Sequence, residues 1–153
     1  AGALSARHSW QPDPVQEAMQ QLAVDLVVIP MQLRVEAAIR ASGRKKCYVL
    51  YAAFDWPAGM APFDNLDATV AQGPCVFVAN KSIFGGPRSR DYVSPVLDFP
   101  TWLDVALLAN ESVRRTRDRL HCWFDGVEER RPDEIFSAPI IEGVRTFRLL
   151  FSS

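Results

Sequence analysis

Apolar residues recur at Val15, Met19, Leu22 and Leu26, a spacing that lines them along one face of a helix. Asp13-Pro14-Val15-Gln16 supplies a start. The Asp13 side chain suits a cap, Pro14 suits the first turn, and Gln16 is placed to close a capping box. Pro30 interrupts the pattern because it lacks the N–H its turn requires. A second helical stretch, Met31–Ser42, runs to Gly43, a suitable left-handed stop. The pattern predicts one helix, broken or kinked near Pro30. The β-branched run Val24–Ile29 leaves a strand there as the alternative.

Further along, Cys47-Tyr48-Val49-Leu50-Tyr51-Ala52-Ala53-Phe54 is apolar on both alternating faces, which predicts a central strand covered on both sides. A shorter strand is expected at Cys75–Ala79. Thr101-Trp102-Leu103-Asp104 is a capping-box pattern, and the helix it opens should reach about Arg117. Its stripe is Trp102, Ala106, Ala109 and Val113, widened by Leu103 and Leu107. Arg114, Arg115, Arg117 and Arg119 crowd its end, where cations suit the helix dipole. Leu120–Val127 alternates, with Leu120, Cys122 and Phe124 on one face and His121, Trp123 and Asp125 on the other. After the polar turn Glu128–Glu134, Val144–Phe151 forms the last expected strand, packing through Phe147, Leu149 and Phe151; the last two strands should pair as neighbours. Helices and strands do not alternate regularly. The prediction is an α+β fold, with a mostly antiparallel sheet of about four or more strands packed against two or three helices. Residues 1–12 read as a flexible arm and 13–153 as a single domain.

Two long proline- and glycine-rich loops, roughly 55–74 and 81–100, flank the Cys75–Ala79 strand. They carry Trp56, Met60, Phe63, Ile83, Phe84 and Tyr92. Loops of this length in a compact domain bind something or are disordered, and the aromatic content argues against disorder. The first is richer in apolar groups and proline and suits a covering flap. The second concentrates glycine, serine and cations and suits a ligand.

Composition narrows the classes. The chain has 153 residues, 48% of them hydrophobic and 23% charged, with a net charge of −1, so it lacks the basic excess of a nucleic-acid protein and any charge for steering to anionic membranes. No apolar stretch reaches the roughly 20 residues that span a bilayer. The first residues lack a charged start followed by an apolar run, so no secretory signal is expected. Cys47, Cys75 and Cys122 are odd in number, widely spaced and set in apolar runs, which fits free thiols in a reducing, cytoplasmic setting. No closely spaced ligand pair suggests zinc. No cofactor, metal, nucleic-acid or membrane partner is expected.

Candidate chemistry concentrates in Lys81–Tyr92. Gly85 and Gly86 allow close backbone approach; Lys81, Arg88 and Arg90 offer cations for a carboxylate or phosphate, and Ser82 and Ser89 add hydroxyls. The plainer alternative is a solvated connection whose glycines serve a turn. Asp55, at the end of the apolar run and beside Trp56, is a candidate acid or base, with Asp64 and Asp67 as possible partners; strand-end packing explains the same residues. His121 is the other acid–base candidate. It lies about 13 Å along a strand from Asp125, too far for a hydrogen bond. Trp123, opposite Cys122 and Phe124, needs cover from a helix, a loop or another chain, which favours a homodimer. The expected function is binding of a small, anionic molecule in a loop-lined pocket. The alternatives are a small enzyme using Asp55 or His121 as acid or base, or a protein-interaction module.

Overall fold

A computed structural model of the chain describes residues 13–50, 65–131 and 141–152. Asp13 caps the first helix, α1 (Pro14–Ala23): its carboxylate accepts the Val15 N–H at 3.0 Å. A π-helical turn, Val24–Val28, joins α1 to α2 (Ile29–Ala41) without a break. The strand alternative for Val24–Ile29 is therefore wrong, and the irregularity falls just before Pro30. Proline gives no N–H to the preceding turn and its ring crowds that turn; the wider π turn makes room for it. Gly43 follows α2 with φ 92°, in the left-handed region.

Among the described residues, five strands form one mixed sheet: β1 (Pro74–Ala79), β2 (Tyr92–Val93), β3 (Leu97–Asp98), β4 (Trp123–Glu129) and β5 (Arg145–Ser152). The order is β2-β1-β5-β4, with β3 pairing beside β2 on the same edge of β1. Pairing is antiparallel except between β1 and β5, where Cys75–Val78 run parallel to Arg145–Arg148. The long helix α3 (Trp102–Thr116) precedes β4, and Thr101 and Asp104 form its capping box as the sequence predicts. Three helices and this sheet make an α+β fold. No helix among the described residues is long and apolar enough to cross a membrane.

The core lies between the helices and one sheet face. Val35 and Ile39 of α2 and Val105, Ala109 and Val113 of α3 are buried with Cys75 and Phe77 of β1 and Phe147 and Leu149 of β5. Phe77 stacks on Phe147 with centroids 5.5 Å apart. Val76 and Val78 point to the opposite face, where they form a second small cluster with Val144. All three cysteines are free, Cys75 buried and the other two half-buried, and burial pushes each thiol upward.

One sequence expectation needs correction. The described part of the run from Cys47 is not a central strand. Only Leu50 makes a bridge, an isolated parallel one to Trp123 at the start of β4. The backbone before it is held by side chains instead. Buried Asn110 accepts the Tyr48 N–H and donates to the Lys46 carbonyl, and Gln32 donates to the Val49 carbonyl at 3.0 Å. With those groups satisfied by α2 and α3, the segment needs no ladder. Residues 51–54 lie outside the described residues. The strand enclosed on both faces is β1, of which every residue after Pro74 is buried.

Candidate functional site

Helix α3 ends by a reversal at Arg117, which takes the left-handed conformation (φ 57°) and returns its N–H to the Val113 carbonyl. The chain then turns back at Asp118 beside the loop that follows β1. That loop opens with a 3₁₀ turn, Ile83–Gly85, capped by the Ser82 hydroxyl, which accepts the Phe84 N–H.

Serine side chains fasten the loop to the helix end. Buried Ser89 donates its hydroxyl to the Thr116 carbonyl at 2.6 Å and accepts the Ser82 N–H at 2.9 Å. Ser82 in turn donates its hydroxyl to the Asp118 carboxylate at 2.8 Å. The Arg90 N–H donates to the Arg115 carbonyl at 3.0 Å. Gly85 makes this approach possible: a Cβ there would lie 2.0 Å from the Thr116 carbonyl oxygen.

Asp118 is the hub. Besides Ser82, its carboxylate accepts the Leu120 N–H at 3.1 Å and meets His121 Nδ1 at 2.9 Å. Burial alone would raise this carboxyl, but the Ser82 hydroxyl, the His121 ring and the Leu120 amide outweigh it and hold it below its ordinary value. An ionised carboxylate only accepts, so Nδ1 carries the proton between the two side chains. Phe84 packs against the ring with centroids 5.5 Å apart. The Asp118 side chain is 16% exposed and that of His121 36%, so the carboxylate is sheltered while the imidazole reaches solvent.

This pair lines a cavity of about 290 Å³. Its polar wall is Asn80, Ser82, Thr116, Asp118, His121 and Arg148; Val113, Leu149 and Phe151 supply apolar surface. Arg148, on β5, approaches Glu128 of β4 at 3.3 Å, so its charge is partly balanced. Chemically, the cavity offers a cation, an oriented imidazole, a side-chain amide and an apolar floor.

Of the residues the sequence singles out, Ser82 and His121 meet here through Asp118. The Lys81 side chain is exposed, and its N–H donates to Asp91 at 2.7 Å. Gly85 packs on α3, and Gly86 lies exposed in the loop. Arg88 is exposed. Arg90 turns its guanidinium onto the Pro87 and Ser89 carbonyls of its own loop. None of these five lines the cavity. Asp55, Trp56 and Asp64 lie outside the described residues; Asp67 is exposed and paired with Arg34. His121 precedes β4 instead of lying in it, so it does not share a strand face with Trp123 and Asp125; Trp123 itself is half-buried. No group of three or more His, Cys, Asp or Glu is placed to hold a metal among the described residues.

Sequence reasoning missed Asp118, Asn80 and Arg148. Asp118 left one signal: an acid three residues before a histidine, just past a helix end. Arg148 left none, because only the pairing of β5 carries it to the cavity. Comparison with known proteins finds no matching family model, no matching curated protein and no matching solved structure.

Proposed function

We propose that this protein binds a small organic anion in the cavity between the loop after β1, the end of α3 and β5. The observation that carries the reading is a sheltered carboxylate, Asp118, fixing His121 at the wall of a cavity that Arg148 also lines. A carboxylate or phosphate ligand would take the Arg148 guanidinium as its charge partner and the Asn80 amide as a hydrogen-bond donor. The volume, at the small end of ligand pockets, suits a metabolite. The cations of the 81–92 loop stand at the outer side and serve approach more than contact.

A ligand that binds the folded state raises its apparent stability. A thermal-shift screen against small carboxylates and phosphates should find a class that raises the melting temperature. Arg148→Met should abolish that gain. If no compound shifts the wild type, or the variant keeps the shift, the reading fails.

The Asp118–His121 pair favours a second reading, a small enzyme in which His121 acts as general base. A carboxylate on Nδ1 orients the ring and stabilises the imidazolium that forms when Nε2 takes a proton. Asp118 is then the acid beside the histidine. Turnover of a ligand from the screen, lost in His121→Gln while binding persists, would separate this reading from binding alone.

A further inference from the structure

The apolar line that the sequence places along the first helix is not used by the described fold. Val15, Met19, Leu22 and Leu26 are 57–67% exposed, and Ile29 and Leu33 extend the exposed apolar surface past the π turn. Every described side chain of α1 is exposed. The core takes a different set from the same helical stretch: Val28, Met31, Val35 and Ile39. α1 runs on into the π turn and α2, but its exposed face adds no core packing to hold it helical. Such a helix needs cover.

The spacing identifies the cover. Steps of four, three and four residues are the a/d repeat of a helix–helix seam. The 4-3-4 spacing is the same in both directions, so two copies related by a two-fold axis can match it. Leu22 of one copy then faces Met19 of the other, and Val15 faces Leu26, an isologous contact. An antiparallel pair also opposes the two helix dipoles and separates the acidic starts, Asp13 and Glu17, which a parallel pair would place side by side. No lysine or arginine occurs from Asp13 to Leu33, so the segment lacks the basic face of a helix that lies on a membrane. If each side chain gives up about 100 Å², the four seam residues bury about 400 Å² per copy, or about 800 Å² in the pair, the size of a weak, reversible contact.

We infer that α1 is a self-association helix, pairing antiparallel with α1 of a second copy in a reversible homodimer. No residue of α1 lines the cavity. Sedimentation of the full chain over a wide concentration range should show a monomer–dimer equilibrium. Met19→Lys and Leu22→Glu each place a charge in the seam and should raise the dissociation constant roughly a hundredfold or more. Glu17→Gln, off the seam, should leave it unchanged. Mixing the Met19→Lys and Leu22→Glu chains should restore dimers, since lysine then faces glutamate across the antiparallel seam; a parallel pair gives no such match. Three results would overturn the inference: a wild type monomeric at every concentration, dimers that survive both single substitutions, or a mixture that stays monomeric.

Discussion

Replacing Gly85 by alanine tests how the loop after β1 is held. The added methyl would sit 2.0 Å from the Thr116 carbonyl oxygen, 2.8 Å from the Ser89 Cβ and 2.9 Å from the Ser89 hydroxyl. The Thr116 oxygen is backbone in the last turn of α3 and cannot swing away. Ordinary contact therefore requires the loop to lift by about 1 Å or more. That displacement breaks or stretches the Ser89 bond to Thr116 (2.6 Å), the Arg90 bond to Arg115 (3.0 Å) and the Ser82 bond to Asp118 (2.8 Å). At about 1 kcal/mol net for each hydrogen bond, the loss is about 3 kcal/mol. Urea denaturation of Gly85→Ala against the wild type reads the global part. Native-state hydrogen exchange at the Ser82 and Arg90 amides reads any local opening, where 3 kcal/mol corresponds to roughly a hundredfold loss of protection. A cost below about 1 kcal/mol with unchanged exchange at both amides would refute the account of Gly85 as the close-approach point.

Two further predictions concern pH. The folded-state carboxyl of Asp118 lies below its ordinary value, so it contributes stability above about pH 4 that is lost as pH falls through the lowered value. Asp118→Asn should be less stable than the wild type at neutral pH and should close that gap in acid, as read by urea midpoints from pH 2 to 7; a constant gap would count against the hub role. At the alkaline end, burial, with Glu111 adding to it, pushes the Tyr92 hydroxyl up to about 12. The folded state then keeps a proton that the unfolded chain loses near pH 10, so roughly 2–3 kcal/mol of stability disappears between about pH 10 and 12. Tyr92→Phe should flatten that limb of the stability profile, and an identical limb in the variant would contradict it.

What could be read from sequence was local. The Thr101–Asp104 capping box and the apolar run of β1 are written in adjacent residues, and both elements fall where their patterns place them. The run from Cys47 misled because its hydrogen-bond partners, Asn110 and Gln32, are distant side chains that no periodicity reveals. Helical spacing identified the line from Val15 to Leu26 as one face but could not say whether that face meets the core; in the structure it meets solvent. At the cavity, Asp118 was hidden because the turn that returns it is made by Arg117, a residue with no marked preference for a left-handed conformation. The loop cations drew attention by charge, yet a charged side chain in a loop is as free to satisfy its own carbonyls, as Arg90 does.

The parallel pairing of β1 with β5 has a kinetic consequence. β5 lies between β1 and β4, and its register with β1 joins Cys75 to Arg145 across the segment that carries α3 and β4. The hairpin-like pairing of β4 with β5 and the short returns of β2 and β3 onto β1 close over much shorter stretches of chain. Each can collapse separately. Their union waits on closing the long loop, whose entropy is lost before the Phe77–Phe147 stack can form. Among these strand pairings, the meeting of β1 with β5 carries the largest loop-closure cost.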